Sequence, residues 1–268
     1  MENKITPTGP SAPKEKFGIK IVKIPANTDK KNIMIFACFG YVAKTCYNEV
    51  EYIEKVVKKI HEVSPYDNEI IVIDDFSNDG TINILEKMEG IHITKLIKNK
   101  KNYGKGYCIR EGIKYITGEI VIIQDADLEY DPSDYPKLIE PIKNNIADAV
   151  FGSRFIGTEL VRVHLFWHRV GNLLLTLLSN FLTNLNLTDM EICYKAFKKE
   201  IIEKMQLKEN RFGFEPEITA KVSKIPKIRI YEVPVRYYGR SYAEGKKIGW
   251  KDGFSALRCI IYYNLFSK

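Results

Sequence analysis

Three acidic residues, Asp125, Asp127 and Glu129, follow directly on the uncharged run VIIQ at positions 121–124. Such a run leading into acids reads as a buried strand that delivers three carboxylates at its carboxyl end, where open α/β sheets take their ligands. Carboxylates crowded this closely repel one another. A hard divalent ion, Mg²⁺ or Mn²⁺, relieves the repulsion through oxygen ligation and commonly shares its coordination with substrate phosphates. The alternative is a solvated loop whose acids cap a helix after Pro132, and a DxD spacing alone does not exclude it. The apolar strand ahead, and Glu129 in reach of the same ion, favour a metal and nucleotide-diphosphate site.

Two further strand-end acids close EIIVIDD, Asp74 and Asp75. The following Ser77, Asn78, Asp79, Gly80 and Thr81 are turn and cap residues, so Asp75 and Asp79 read both as ligand-binding acids and as turn chemistry. Lys105, in NYGKG, lies between glycines. It reads either as a surface lysine on a flexible turn or as a cation on a diphosphate that the backbone approaches closely. No GxxxxGK[ST] occurs, and Gly104, Gly106 and Gly112 do not make GxGxxG, which sets aside P-loop kinases and dinucleotide dehydrogenases.

The elements that must carry these groups alternate. Strands are expected at 33–39, 69–75, 91–96, 119–124 and 147–151, with helices from about Val50, at 82–88, at 107–116 and from Pro132 to about Asn145. This is the pattern of a parallel-sheet α/β domain. Beyond it come a helix-rich block at about 160–187, a short strand at 193–197, helices at 199–205 and 216–223, a strand at 228–235 and a last helix from about Ile248. Residues 1–32, rich in Lys, Pro and Thr, read as a loosely ordered arm. The domain expected over 33–238 is followed by a loop and amphipathic helix over 239–268.

At 268 residues and 45% hydrophobic, the chain can bury a core of ordinary density. A formal charge of +7 favours anionic partners such as nucleotides, lipid phosphates or acidic membrane surfaces. No nucleic-acid-binding signature is present. Five scattered cysteines without a CxxC pair argue for reduced thiols in a cytoplasmic setting. No apolar run reaches the ~18 residues of a membrane span, and residues 1–32 hold no signal-peptide core.

CYNE, VIDDFSNDGT, NYGKGYCIREG, DADLEYDP and FGSRF occur in that order and spacing. Together they resemble the successive motifs of family 2 inverting glycosyltransferases of the GT-A fold, and within these the dolichyl- and polyprenyl-phosphate mannose and glucose synthases. The resemblance spans about 33–238. It implies a mostly parallel nucleotide-binding sheet flanked by helices, with a helical C-terminal acceptor region. It further implies that Tyr47, Asn48, Glu49 and Asp75 line the base and ribose of a UDP- or GDP-hexose, with Asp79 and Lys105 near the donor. Asp125, Ala126, Asp127 and Glu129 would hold metal and diphosphate. Arg154 and Arg169 would hold the phosphate of a polyprenyl or dolichyl acceptor, with Asp189 and Glu191 ordering that pocket. A soluble-glycan or protein-hydroxyl acceptor is the rival, and it would need Asp189 or Glu191 as a base. Arg240 and Lys246, in the loop 237–247, would reach the donor phosphates, unless this is a plain solvated loop. The chain departs from the family at 39–46, which reads FGYVAKTC where a proline and a small residue usually precede YNE. The transmembrane helices that many lipid-phosphate members carry after the catalytic domain are also missing.

Leu173, Leu174, Leu177, Leu178, Phe181, Leu182 and Leu185 form an apolar stripe, with Asn172, Thr176, Ser179, Asn180, Thr183 and Asn184 opposite. Core packing is the first expectation for such a stripe, and an interfacial helix meeting lipid is the second. Trp250, Phe254, Leu257, Ile261 and Leu265 form another, with Lys246, Lys247, Lys251 and Arg258 placed for anionic headgroups. The expected location is therefore cytoplasmic and peripheral on a membrane face.

Overall fold

The computed structural model describes residues 33–40, 50, 52–157, 160–163, 166–240 and 250–267. Of the side chains, those of 33–40, 250 and 251 lie outside the described set, as do Tyr47, Asn48, Glu49 and Lys246 altogether.

A seven-stranded sheet runs in the order β3-β2-β1-β4-β6-β5-β7. Its strands are β1 (Ile33–Gly40), β2 (Asn68–Asp75), β3 (Lys95–Lys98), β4 (Ile120–Asp125), β5 (Ala149–Ser153), β6 (Lys195–Lys198) and β7 (Ile230–Pro234). The first four pair in parallel, as do β5 and β7, while β6 runs antiparallel between β4 and β5. Runs such as Ile70 to Ile73 and Ile120 to Ile123 are buried on both faces, which explains why they are continuous rather than alternating. In register, Asp75 lies opposite Gly40 and Asp125 opposite Cys38. The acidic ends of β2 and β4 therefore flank the end of β1, where the strand order reverses direction and a crevice opens.

The helices are α1 (Ile53–Val63), α2 (Thr81–Met88), α3 (Lys105–Ile113), α4 (Tyr135–Lys143), α5 (Phe166–Thr183), α6 (Lys199–Lys204), α7 (Phe214–Ser223) and α8 (Trp250–Leu265). Ile53, Val56, Val57 and Ile60 of α1 are all buried, as their helical spacing predicts. α3 packs on β1 and β2, α4 on β4 to β7, and α5, α7 and α8 on one another. The third strand begins later than expected. Residues 90–93 form a turn instead, with Gly90 at φ +77° and its amide donated to the Ile93 carbonyl.

The larger correction concerns α5. Most of the leucine stripe turns away from the core, against which only its last member, Leu185, packs: Leu174 is 62% and Phe181 83% exposed, whereas Thr176 and Ser179 are each 1% exposed. The polar face turns inward because it is hydrogen-bonded there. Thr176 donates to Asn172 and accepts from the Met190 amide, and Asn180 donates to the Leu187 carbonyl while accepting its amide. α8 adds Phe254, Ile261 and Leu265 to the exposed apolar surface and packs into the protein through Ala256, Cys259, Ile260 and Tyr263.

Candidate active site

Asp75 is buried at the end of β2, with its carboxylate aimed at the turn before α3. It accepts from Asn99 Nδ2 at 2.7 Å, from the Tyr103 amide at 2.9 Å and from the Gly104 amide at 2.6 Å. Three donors fix the path of the backbone into α3, and so fix Lys105 at its first position. Asp79 accepts from the Thr81 amide at 2.9 Å, which is the turn chemistry its neighbours suggested.

The glycines around Lys105 also make room for another segment of the chain. A Cβ on Gly104 would overlap the carbonyl oxygen of Asn210, and one on Gly106 that of Glu209. Gly104 also stands at φ +99°, where side chains are strained. Their bareness admits the 209–211 backbone, which brings α7 close behind. Lys105 is consequently no surface lysine: its Nζ lies 2.9 Å from Asp125 Oδ1 and 2.8 Å from Glu215 Oε1. Burial opposes its charge, yet the carboxylates of Asp125 and Glu215 hold the ammonium well above the usual lysine range. Glu215, the second residue of α7, was not singled out in the sequence, and no local pattern announces it.

Asp127 and Glu129 meet a cation from the other end of the chain. Arg240 NH2 is 2.6 Å from Asp127 Oδ2, and its Nε is 3.1 Å from Glu129 Oε1. The Arg240 amide donates to the same Glu129 oxygen at 2.9 Å. Capping in this loop falls instead to Asp131, which accepts the Ser133 amide at 2.9 Å. The three acids of the β4 loop are thus not needed as helix caps, and each faces a basic group. Ala126 is buried between them.

Among the described residues no three His, Cys, Asp or Glu side chains converge as a ready-made metal cage. The donors still suit one. They are carboxylate oxygens, partly exposed, at a strand end whose negative charge is balanced in this state by ammonium and guanidinium groups. A hard divalent ion bound through one or two carboxylates, with phosphate oxygens completing its shell, matches that donor set. Asp127 and Glu129 would hold it, with Asp125 beside them.

Arg154, just beyond β5, forms a two-pronged ion pair with Asp189: Nε to Oδ2 and NH2 to Oδ1, both 2.7 Å. Asp189 is fully buried and also accepts from Asn172 of α5 at 3.0 Å. Burial works against its charge, but Arg154 holds the carboxyl below the ordinary aspartate range. Arg169, exposed on α5, lies 5.2 Å from the Phe155 ring centroid, and Arg154 lies 5.5 Å from the same ring. One aromatic ring therefore gathers both arginines. Glu191 is partly buried, with Oε1 sealed and without a hydrogen bond among the described residues. Burial first, and Glu215 second, push its carboxyl up to about 8.

This arrangement, with acids of β2 and β4 on either side of β1 and arginines beyond β5, defines a GT-A α/β protein. The chain belongs to glycosyl transferase family 2, whose model matches residues 42–206. It is 29% identical over 215 residues to the dolichol-phosphate mannosyltransferase of Pyrococcus furiosus, covering 75% of this chain and 58% of that enzyme. It is also 29% identical over 243 residues to the UDP-N-acetylglucosamine–dolichyl-phosphate N-acetylglucosaminyltransferase of Methanococcus voltae, covering 84% and 94%. Glucosyl-3-phosphoglycerate synthase of Mycobacterium tuberculosis shares the fold at a TM-score of 0.66 and 16% identity, over 88% of this chain and 83% of that one. A structure of that synthase contains Mn²⁺ and UDP.

Proposed function

We propose that this protein is a metal-dependent inverting glycosyltransferase that moves a hexose from a UDP- or GDP-sugar to a polyprenyl or dolichyl phosphate at a membrane surface. One juxtaposition carries the reading. Arg154, partly exposed and suited to an anionic acceptor, is paired with the fully buried Asp189, which is hydrogen-bonded to Asn172 of the helix that turns most of its leucines outward. A phosphate headgroup and an apolar tail would be met by two sides of one element.

On the donor side, Asp127 and Glu129 would exchange Arg240 for Mg²⁺ or Mn²⁺ and the diphosphate, leaving Arg240 beside the phosphates. The ion supplies Lewis-acid stabilisation of the departing nucleoside diphosphate. Lys105 adds a fixed positive charge next to Asp125. Tyr47, Asn48, Glu49 and Asp75 belong to the base and ribose side, and Asp79 lies near the donor. Lys246 joins Arg240 in this reading. On the acceptor side, Arg154 has guanidinium donors beyond the two directed to Asp189, and Arg169 stands across Phe155. An acceptor phosphate with its second pKa near ~6 is already a nucleophile at neutral pH and needs no base. The hydroxyl-acceptor reading is less well supported, because Asp189 is committed to Arg154 and Glu191 is held protonated near neutrality.

Among the described residues no helix is long and apolar enough to cross a membrane. Peripheral binding through α5 and α8, on the cytoplasmic side, fits the exposed apolar surface. The decisive assay is diphosphate release from a panel of UDP- and GDP-sugars with Mg²⁺ or Mn²⁺, with and without a short polyprenyl phosphate. Release that depends on the lipid phosphate is expected. Equal release with a soluble hydroxyl acceptor and none with the lipid would overturn the proposal.

A further inference from the structure

The donor acids and the acceptor arginine are not independent. Tyr237, buried just after β7, donates its hydroxyl to Glu129 Oε2 at 3.0 Å. The Arg154 guanidinium lies 5.2 Å from the centroid of the same ring, a cation-π contact. The ring cannot drift. Its backbone bridges Tyr130 on one side and Val161 on the other, and its face tilts on Tyr130 at 5.2 Å between centroids. Gly239 closes the turn over it, since a Cβ there would overlap the Tyr237 ring.

From these contacts we infer that Tyr237 is a positioning residue that couples the two halves of the site. Its hydroxyl holds a carboxylate of the proposed metal site while its ring carries the arginine proposed for the acceptor phosphate. The inference rests on the donor and acceptor assignments made above. While Arg240 occupies Glu129 Oε1, the tyrosine O–H is directed at Oε2, which holds the ring in place beside Arg154. A metal ion and diphosphate held by Glu129 would compete for Oε2, the tyrosine hydroxyl would lose its fixed acceptor, and the ring under Arg154 would shift with it. Coupling of this kind is reciprocal, so acceptor phosphate must alter donor binding by the same factor.

The test uses farnesyl phosphate as the acceptor probe, titrated calorimetrically into the full chain with and without saturating Mn²⁺–UDP or Mn²⁺–GDP, whichever binds. In the wild type, the donor complex should change farnesyl phosphate affinity by about fivefold or more. In Tyr237→Phe, which keeps the ring and removes one oxygen, that ratio should fall to near unity while the melting temperature and the separate affinities stay close to wild type. A purely structural tyrosine would shift the melting temperature and leave the ratio alone. A ratio that survives in Tyr237→Phe overturns the inference and spares the acceptor assignment, as does a wild-type ratio of one. Failure of farnesyl phosphate to bind the wild type at all overturns the acceptor assignment, and the coupling with it.

Discussion

Arg154 and Asp189 illustrate how a residue proposed for ligand binding is also bound into the fold. Removing the arginine leaves a fully buried carboxylate without its ion partner, a change that costs about 3–5 kcal/mol. Arg154→Ala should therefore lose stability along with acceptor use, and a denaturant midpoint will show it. Arg154→Lys separates the two roles. It keeps the charge but not the planar two-pronged geometry, so it should melt near the wild type while transfer to a polyprenyl phosphate falls by tenfold or more, on the order of 1.4 kcal/mol.

Glu191 makes a different prediction at the same scale. Its carboxyl titrates at about 8 in the fold against 4.5 in the free side chain. Between those values the folded protein holds a proton that the unfolded chain has released, so stability falls as pH rises, by up to about 1.4 kcal/mol per pH unit. Urea titrations at pH 5, 6 and 7 should show a shallower decline in Glu191→Gln than in the wild type. Parallel lines would mean that the carboxyl is ionised throughout.

α5 is the element on which local pattern and tertiary context disagree. A leucine stripe facing the core would make Leu174→Ser and Phe181→Ser cost about 2–5 kcal/mol each. With both side chains exposed, each should change stability by only about 0.5 kcal/mol, while sedimentation with vesicles containing anionic lipid should drop. The inward face is the sensitive one: Thr176→Val removes both the donor to Asn172 and the acceptor of the Met190 amide, which should cost about 1–3 kcal/mol by urea unfolding. At the entry to α3, Gly106→Ala sets a methyl group against the Glu209 carbonyl. It should displace Lys105 and cost about 1–3 kcal/mol, measured by the same unfolding curve.

Across the whole molecule, the site is assembled from segments far apart in the chain: β2, β4, the start of α7 and the stretch around Arg240. Asp125 needs Lys105, Lys105 needs Glu215, and Asp127 needs Arg240. A mobile cation in place of these fixed ones should register as global stabilisation by mass action. After treatment with EDTA, adding Mn²⁺ with UDP or GDP should raise the melting temperature, and the metal or nucleotide alone should do so less. Equal shifts with and without metal would rule out the carboxylates as its site.

The alternation of apolar runs and amphipathic segments settles the α/β class, because burial on both faces of a parallel strand leaves a signature within a few residues. The acidic strand ends were legible for the same reason, and the ordered motifs identified the family. What no local signal carries is which cation meets which carboxylate. Glu215 lies 90 residues from Asp125 with nothing local to mark it, and Tyr237, about 110 residues from Glu129, opens a loop in which the cations alone stand out. The direction of α5 is likewise a tertiary decision. Periodicity divides a helix into two faces without saying which turns inward, and here the hydrogen bonds of Asn172, Thr176 and Asn180 outweigh the burial of leucines that another surface can cover.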